Sequence, residues 1–348
     1  MFTFKLPTID LSHLVTLTDE TGILHHTKFS IPERREGYTT DDNARALIAC
    51  IKYLSLFTDF EIEKLVGVYL SFLLFMQKPD GRLHNLLAYD RTPIDENGSE
   101  DSMGRSLMAC GHAINSNISK EKRLLTKQIF DNLSPWSSKF KSPRSKAFAI
   151  IGLNQYRKAL PDDLNVLPNM RKLAQHLVED YKSYASLNWD WFEPYLTYEN
   201  AKLSQAMIDM FDASKNREYL QLARRTFDFL IKVQIKNGIF FPIGNRGWYK
   251  KGGKRAFYDQ QPIEASSMVE AAVQGFKLTG EENYRKVAKI AFDWYLGNNT
   301  KTVAVYNEES GACYDGITPE GLNLNQGAES IITYLIARLE LETMFRKS

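Results

Sequence analysis

The chain has 348 residues, 43% of them apolar and 25% charged, enough for one large domain whose core needs neither disulfide nor metal. Lys and Arg total 44 against 42 Asp and Glu, a net charge of +2, which excludes the basic footprint of a nucleic-acid binder or of a protein held on an anionic membrane. Three cysteines, Cys50, Cys110 and Cys313, make no disulfide framework and suit a reducing compartment.

The opening MFTFKLPTIDL lacks the apolar core of a signal peptide, so the expected location is the cytoplasm. Helical periodicity then dominates, with strand alternation confined to Ile239–Phe241 and Thr302–Tyr306. Ile9–Leu17 predicts a first helix. From there two kinds of helix alternate. One kind is built of small and apolar residues and opens with a polar cluster: TTDDNARALIAC from Thr39, SEDSMGRSLMAC from Ser99, SPRSKAFAIIGL from Ser142, TYENAKLSQAMI from Thr197, QQPIEASSMVEA from Gln260 and NLNQGAESIITY from Asn323. Each opening carries the Ser, Thr, Asp, Asn or Pro that a helix N-terminus favours. The other kind is amphipathic and charged on one face: Glu61–Gln77, Ser119–Asn132, Val166–Tyr184, Arg217–Gln234 and Glu282–Leu296. The most apolar stretch, Val66–Met76, is too short to cross a bilayer and predicts a buried helix.

An internal repeat strengthens the pattern. FLLFMQKPDGR (Phe72–Arg82) aligns without a gap to FLIKVQIKNGI (Phe229–Ile239), matching Phe72 to Phe229, Gln77 to Gln234 and Gly81 to Gly238. Six small-residue helices alternating with six outer ones predict an all-α (α/α)6 toroid, a double ring of about twelve helices spanning residues 1–348 as a single domain. An open solenoid would not need six rich and different openings.

In such a ring the inner helices run parallel, and their N-termini gather around one funnel. Carboxylates there meet the positive ends of helix dipoles, and burial or crowding can hold some of them protonated. Asp41 and Asp42 form the sharpest pair, since Thr40 can already cap the helix. On a first turn they point about 100° apart, so one can face the funnel while the other orients it. Asp101 and Glu264 come next. Any of these acids can also serve as a helix cap. Candidate substrate-binding residues at the openings are Tyr38, Asn43, Arg45, His84, Asn85, Arg105, Arg144, Trp191, Glu193, Tyr198, Glu199, Asn245, Arg246, Trp248, Tyr249, Gln260, Gln261, Asn325, Gln326 and Glu329. Dense amides, guanidinium groups and rings suit a polyhydroxylated ligand. Aromatics reach 12% of the chain, and two clusters, Trp189–Tyr198 and Trp248–Tyr258, lie in polar loops as platforms for sugar faces.

The stretch RGWYKKGGKR (Arg246–Arg255) holds five basic residues and reads either as a solvated loop or as a flexible basic lid over an anion. It lacks the Gly-Lys-Ser/Thr of a phosphate loop, and no GxGxxG, HExxH, CxxC or GxSxG motif occurs. No cofactor or metal is expected. No histidine lies at an inner opening, although His25-His26 sits on a loop.

The strings GYTTDDNARALI, EDSMGRSLMACG, SPRSKAFAIIGL, WFEPYLTYENAKLSQAM, PIGNRGWYKKGGKRAFYDQQPIEASSMVEA and DGITPEGLNLNQGAES resemble a bacterial family of (α/α)6 proteins. Its members occur alone or at the C-terminus of glycosyltransferase polypeptides, often beside β-mannoside phosphorylases. The resemblance runs from about Glu36 to Leu339. It implies partners in a glycosyltransferase or phosphorylase pathway. Asp41-Asp42 also resembles the paired aspartates at a helix start in endo-α-1,6-mannanases of the same fold class, without that motif's tryptophans. The expected function is a glycoside hydrolase cleaving a mannose- or glucose-containing oligosaccharide by paired-carboxylate chemistry. Alternatives are a sugar phosphorylase or an enzyme on an anionic sugar, a sugar 2-epimerase, and a non-catalytic glycan-binding module. The lack of histidine at the openings counts against the epimerase.

Overall fold

The computed structural model describes residues 6–346. Twelve α-helices occur among them, in two alternating sets. The inner set is α2 (Thr40–Leu54), α4 (Glu100–Ile114), α6 (Pro143–Ala159), α8 (Ala201–Ser214), α10 (Pro262–Thr279) and α12 (Ala328–Arg346). The outer set is α1 (Ser12–Leu17), α3 (Phe60–Met76), α5 (Lys120–Leu133), α7 (Val166–Tyr184), α9 (Arg217–Gln234) and α11 (Glu282–Asp293). Each inner helix packs on the next, and α12 packs back on α2, so the inner ring closes. Each outer helix lies against the inner helix of its own pair, with α1 on α12. Strands are six two-residue antiparallel pairs that brace loops. Ile239–Phe240 pairs with Ile235–Lys236. Of the expected strand at Thr302–Tyr306 only Tyr306 pairs, with Cys313.

Burial explains the alternation. α4 is buried along nearly its whole length, from Ser102 to Ile114 apart from His112, because it is covered by α5 outside and by α2 and α6 on either side. Only small side chains permit such crowding. A methyl group added at Gly111 would lie 2.1 Å from the carbonyl oxygen of Gly152, and one at Gly152 would lie 2.4 Å from that of Leu107. Outer helices show one face instead: in α9, Leu220, Ala223, Phe227 and Leu230 are buried while Arg217, Gln221 and Lys232 are not.

Helix starts follow their caps. Ser99 Oγ accepts from the N–H of Ser102 at 3.0 Å, and Ser142 Oγ from that of Ser145 at 3.4 Å. For α2 the cap is Thr39, whose Oγ1 accepts from the Asp42 N–H at 3.1 Å. Thr40, expected as the cap, instead donates to the His84 carbonyl at 2.7 Å. The two halves of the internal repeat end alike: Gly81 and Gly238 turn the chain at φ +88° and +74°, a region in which glycine carries no Cβ penalty.

Candidate active site

All six polar openings meet at the N-terminal end of the inner ring, around a cavity of about 740 Å3. Its wall takes Asp41 and Arg45 from α2, and Ser99, Glu100, Asp101 and Arg105 from the start of α4. Ser142 and Tyr198 come from the entries to α6 and α8, Gln261 and Ile263 from that of α10, and Glu329 from α12. Asn245 and Trp248 reach in from the loop before α10.

Asp41 and Asp42 occupy opposite environments. Asp42 is fully buried behind the wall. Its Oδ2 accepts from Thr39 Oγ1 at 2.8 Å and meets His25 Nδ1 at 2.5 Å, and its Oδ1 meets Arg45 Nη2 at 2.7 Å. Burial alone would raise its pKa; the charges and hydrogen bonds of His25 and Arg45 outweigh burial and hold it far below the usual carboxylate range. The expectation of Asp42 as a catalytic carboxyl in the funnel is therefore corrected: it is a fixed anion that anchors two cations. Asp41 lines the cavity. Its Oδ2 accepts from Asn85 Nδ2 at 3.1 Å, and its Oδ1 lies 3.3 Å from Arg105 Nε without a hydrogen bond. Burial raises its pKa, against the opposing charges of Arg105 and Arg45.

Asp101 is the contrasting carboxylate on the same wall. It accepts from Ser145 Oγ and from Tyr198 Oη, each at 2.5 Å. Burial opposes ionisation, but the charge of Arg105 and these two hydrogen bonds prevail and lower its pKa. Glu329, across the cavity, pairs with Arg45 Nη1 at 3.0 Å, and burial raises its pKa. Arg105 binds Glu199 and stacks on the Phe148 ring at 4.4 Å, with Nη1 left without a hydrogen-bond partner.

Glu264, expected in the funnel, stands behind the wall and is 1% exposed. It accepts from the Glu199 N–H and from Asn200 Nδ2, which ties the entry of α8 to α10. Burial pushes its pKa up to about 8 despite these bonds. Arg144 does similar work: it donates to Glu193 at 2.7 Å and to Asn200 Oδ1 at 3.1 Å. Tyr38 donates to Asp19, Asn43 receives the Ile23 N–H, and His84 bonds the Asp95 carbonyl. Gln260 accepts from Trp294, Asn325 from the Phe29 N–H, and the Gln326 N–H donates to Thr27. These residues hold the openings in place and do not line the cavity.

The aromatic expectation is corrected in part. Trp191 is fully buried against Phe192 and Phe229, and Tyr249 meets Trp189 edge-on. From the two clusters only Tyr198 and Trp248 line the cavity, their ring centroids 6.3 Å apart. The basic segment is no free lid. Arg246 pairs with Asp259, the Lys251 N–H donates to Pro194, Lys251 Nζ to Tyr184, and Arg255 to the carbonyls of Val233, Phe241 and Pro242. Three of its five cations are held by the scaffold while Lys250 and Lys254 are exposed, and from the loop before α10 only Asn245 and Trp248 line the cavity.

Of the histidines, sequence reasoning offered only His84 as a site candidate; the one beside the start of α2 is His25, which stands behind the cavity wall. It reaches Asp42 from the loop after α1, its ring tilted by 43° against that of His26 with centroids 3.8 Å apart. Burial disfavours its charged form, but Asp42 and Glu329 outweigh burial and raise its pKa. Ser99, Ser142 and Ile263 were also not singled out; the first two were legible only as caps. Among the described residues no group of three or more His, Cys, Asp or Glu could hold a metal ion, and no helix is long and apolar enough to cross a membrane.

No protein-family model and no curated protein matches the chain by sequence. Solved structures do match by shape. A cellobiose 2-epimerase from Bacillus thermoamylovorans superposes with a TM-score of 0.74 at 13% identity, covering 97% of this chain and 96% of the other. A D-mannose isomerase gives 0.73 at 14% identity, with 97% and 94% covered. The fold is an (α/α)6 toroid. An α-1,6-mannanase of Salegentibacter sp. shares it, at a TM-score of 0.66, 11% identity and 96% coverage of both chains. That mannanase was solved as an inactive variant, with alanine at two aspartates adjacent in sequence, in complex with an α-1,6-linked mannotetraose.

Proposed function

We propose that the chain is a glycoside hydrolase acting on a mannose- or glucose-containing oligosaccharide, with Asp41 as general acid and Asp101 as its ionised partner. The observation that carries this reading is the opposed environments of two carboxyls on one cavity wall: Asp41 shifted toward its neutral form, Asp101 toward its anion. Asp41 gives its proton to the glycosidic oxygen as the C1–O bond breaks. Asp101 then takes a proton from the attacking water or meets the developing positive charge at C1. The mannanase with two adjacent aspartates replaced supports a hydrolytic site on this fold.

A 2-epimerase is the second reading. His25 on Asp42 is the observation in its favour, since imidazole is the usual base for proton abstraction beside a carbonyl, and the epimerase neighbours support it. Against it, His25 is not part of the cavity wall and is held toward its protonated form.

One assay separates these readings. The protein is incubated in D2O with α- and β-linked manno- and gluco-oligosaccharides, with and without phosphate. Hydrolysis gives new reducing ends without phosphate and no deuterium at C2. A sugar phosphate would indicate a phosphorylase, deuterium at C2 an epimerase, and binding without any product a glycan-binding module. Each of these outcomes would displace the hydrolase.

A further inference from the structure

The inner ring has a second mouth. At the C-terminal ends of the inner helices lies a cavity of about 570 Å3, lined from α2, α4, α6, α8, α10 and α12 and sharing no residue with the funnel. Helix C-termini present carbonyl oxygens and a negative dipole end, so this mouth favours a cation where the other favours an anion. Most of its own charges are matched. Lys52 and Lys277 both pair with Glu340, Lys158 pairs with Asp212 at 2.8 Å, and Glu270 pairs with Lys202 at 2.7 Å.

One anion without an ion pair and one acceptor without a donor are left over. Asp209 lines this cavity with no ion pair among the described residues; its Oδ1 accepts from Asn154 at 2.7 Å and Gln274 at 2.8 Å, and Oδ2 accepts from neither. Gln205, 8% exposed, lines the same cavity, and its Oε1 meets no donor. The two stand four residues apart on α8 and so share one helix face. An unpartnered buried amide oxygen costs stability unless a donor reaches it. Around them, Asn115, Gln155, Gln274 and Ser116 supply further hydrogen-bonding groups.

We propose that this cavity is a binding site for a small hydroxylated primary amine, of amino-sugar size, whose ammonium group is held by Asp209 and Gln205. An ammonium brings donors to Gln205 Oε1, which has none, and a compensating charge to Asp209, which has no ion pair among the described residues. The amides and hydroxyls around the cavity receive the hydroxyls of the ligand. Burial raises the Asp209 pKa to about 6, against Lys158 and the bonds from Asn154 and Gln274, so at about pH 7 the carboxylate is mostly charged while an amino-sugar amine is still mostly protonated.

Titration calorimetry near pH 7 with D-glucosamine, and with D-glucose as the same body without an ammonium, tests the assignment. The wild type binds glucosamine at least about tenfold more tightly than glucose, as a charge-assisted bond implies. Asp209→Asn weakens glucosamine by about tenfold or more, and Gln205→Leu weakens it several-fold. Asp41→Asn, at the opposite mouth, leaves it unchanged. Equal affinity for the two sugars, no binding of glucosamine, full affinity in Gln205→Leu, or loss in Asp41→Asn with retention in Asp209→Asn would each overturn the proposal. Should Asp209→Asn fail to fold, the sugar pair and Gln205→Leu decide the question.

Discussion

Asp42 spends its carboxylate on Thr39, His25 and Arg45, whereas Asp41 lines the cavity with one oxygen that meets Arg105 without a hydrogen bond. Adjacent side chains on a first helical turn diverge, so one backbone step separates a scaffold anion from a carboxyl that lines the cavity. Three predictions belong at this scale. Asp41→Asn lowers kcat on the cleaved oligosaccharide by about 10²–10⁴-fold with little change in melting temperature, the range for loss of a general acid. The pH–rate profile of the wild type falls on its alkaline side as Asp41 deprotonates, above the ordinary aspartate range, and on its acid side only below that range, as Asp101 takes up a proton. Asp42→Asn acts differently: it strips His25 and Arg45 of their buried partner and destabilises the fold by about 3 kcal/mol, read by urea unfolding at pH 7. Because Asp42 titrates low in the folded state, that contribution is present above pH 4 or so and is lost as pH falls toward its folded pKa.

At the level of elements, the helices were legible because burial differs so sharply between the rings. Val166–Tyr184 and Arg217–Gln234 match α7 and α9 residue for residue, since a one-sided apolar stripe with clean ends leaves little choice. The first helix was not: Ile9–Leu17 shortens to Ser12–Leu17, because Asp10 bonds the Ser12 N–H and holds the preceding chain outside the helix. The openings could be located from sequence, yet not which of their side chains faces the funnel. Ser142 reads as a cap and lines the cavity; Glu264 reads as a funnel acid and serves the Glu199 N–H. His25 stayed hidden because it arrives from a loop seventeen residues before its partner. Glycines at the α4–α6 contact are predicted to be intolerant. Gly152→Ala forces a methyl into the Leu107 carbonyl and lowers stability by about 2–4 kcal/mol in denaturant titration, the range for an overpacked core with no flexible neighbour to yield.

For the molecule as a whole, stability and pH are linked through groups that burial keeps neutral. Glu264 is the clearest. Its pKa rises from an ordinary 4.5 to about 8 on folding, so its contribution is full below pH 4.5 and declines as pH rises toward 8. Glu264→Gln removes that slope. The difference in melting temperature between pH 5.5 and 8 is therefore smaller in the variant than in the wild type, and an unchanged difference would show that the carboxyl does not titrate there. Ligand binding adds to stability in the usual way: an oligosaccharide at a hundred times its Kd raises unfolding free energy by about 2.7 kcal/mol, provided it meets only the folded ring.

The seal between α12 and α2 also sets a timetable for synthesis. While a ribosome extends the chain, five inner helices can stack side by side, yet the gap they leave stays open until Ala328–Arg346 emerges to fill it. Until then the nascent polypeptide is a horseshoe. Its inward surfaces, including the unsatisfied guanidinium of Arg105 and the amide of Gln205, still face water and chaperones. α12, made after the other five inner helices, thus completes the rims of both cavities, and Arg338 fastens it by gripping the Pro7 carbonyl at 2.8 Å.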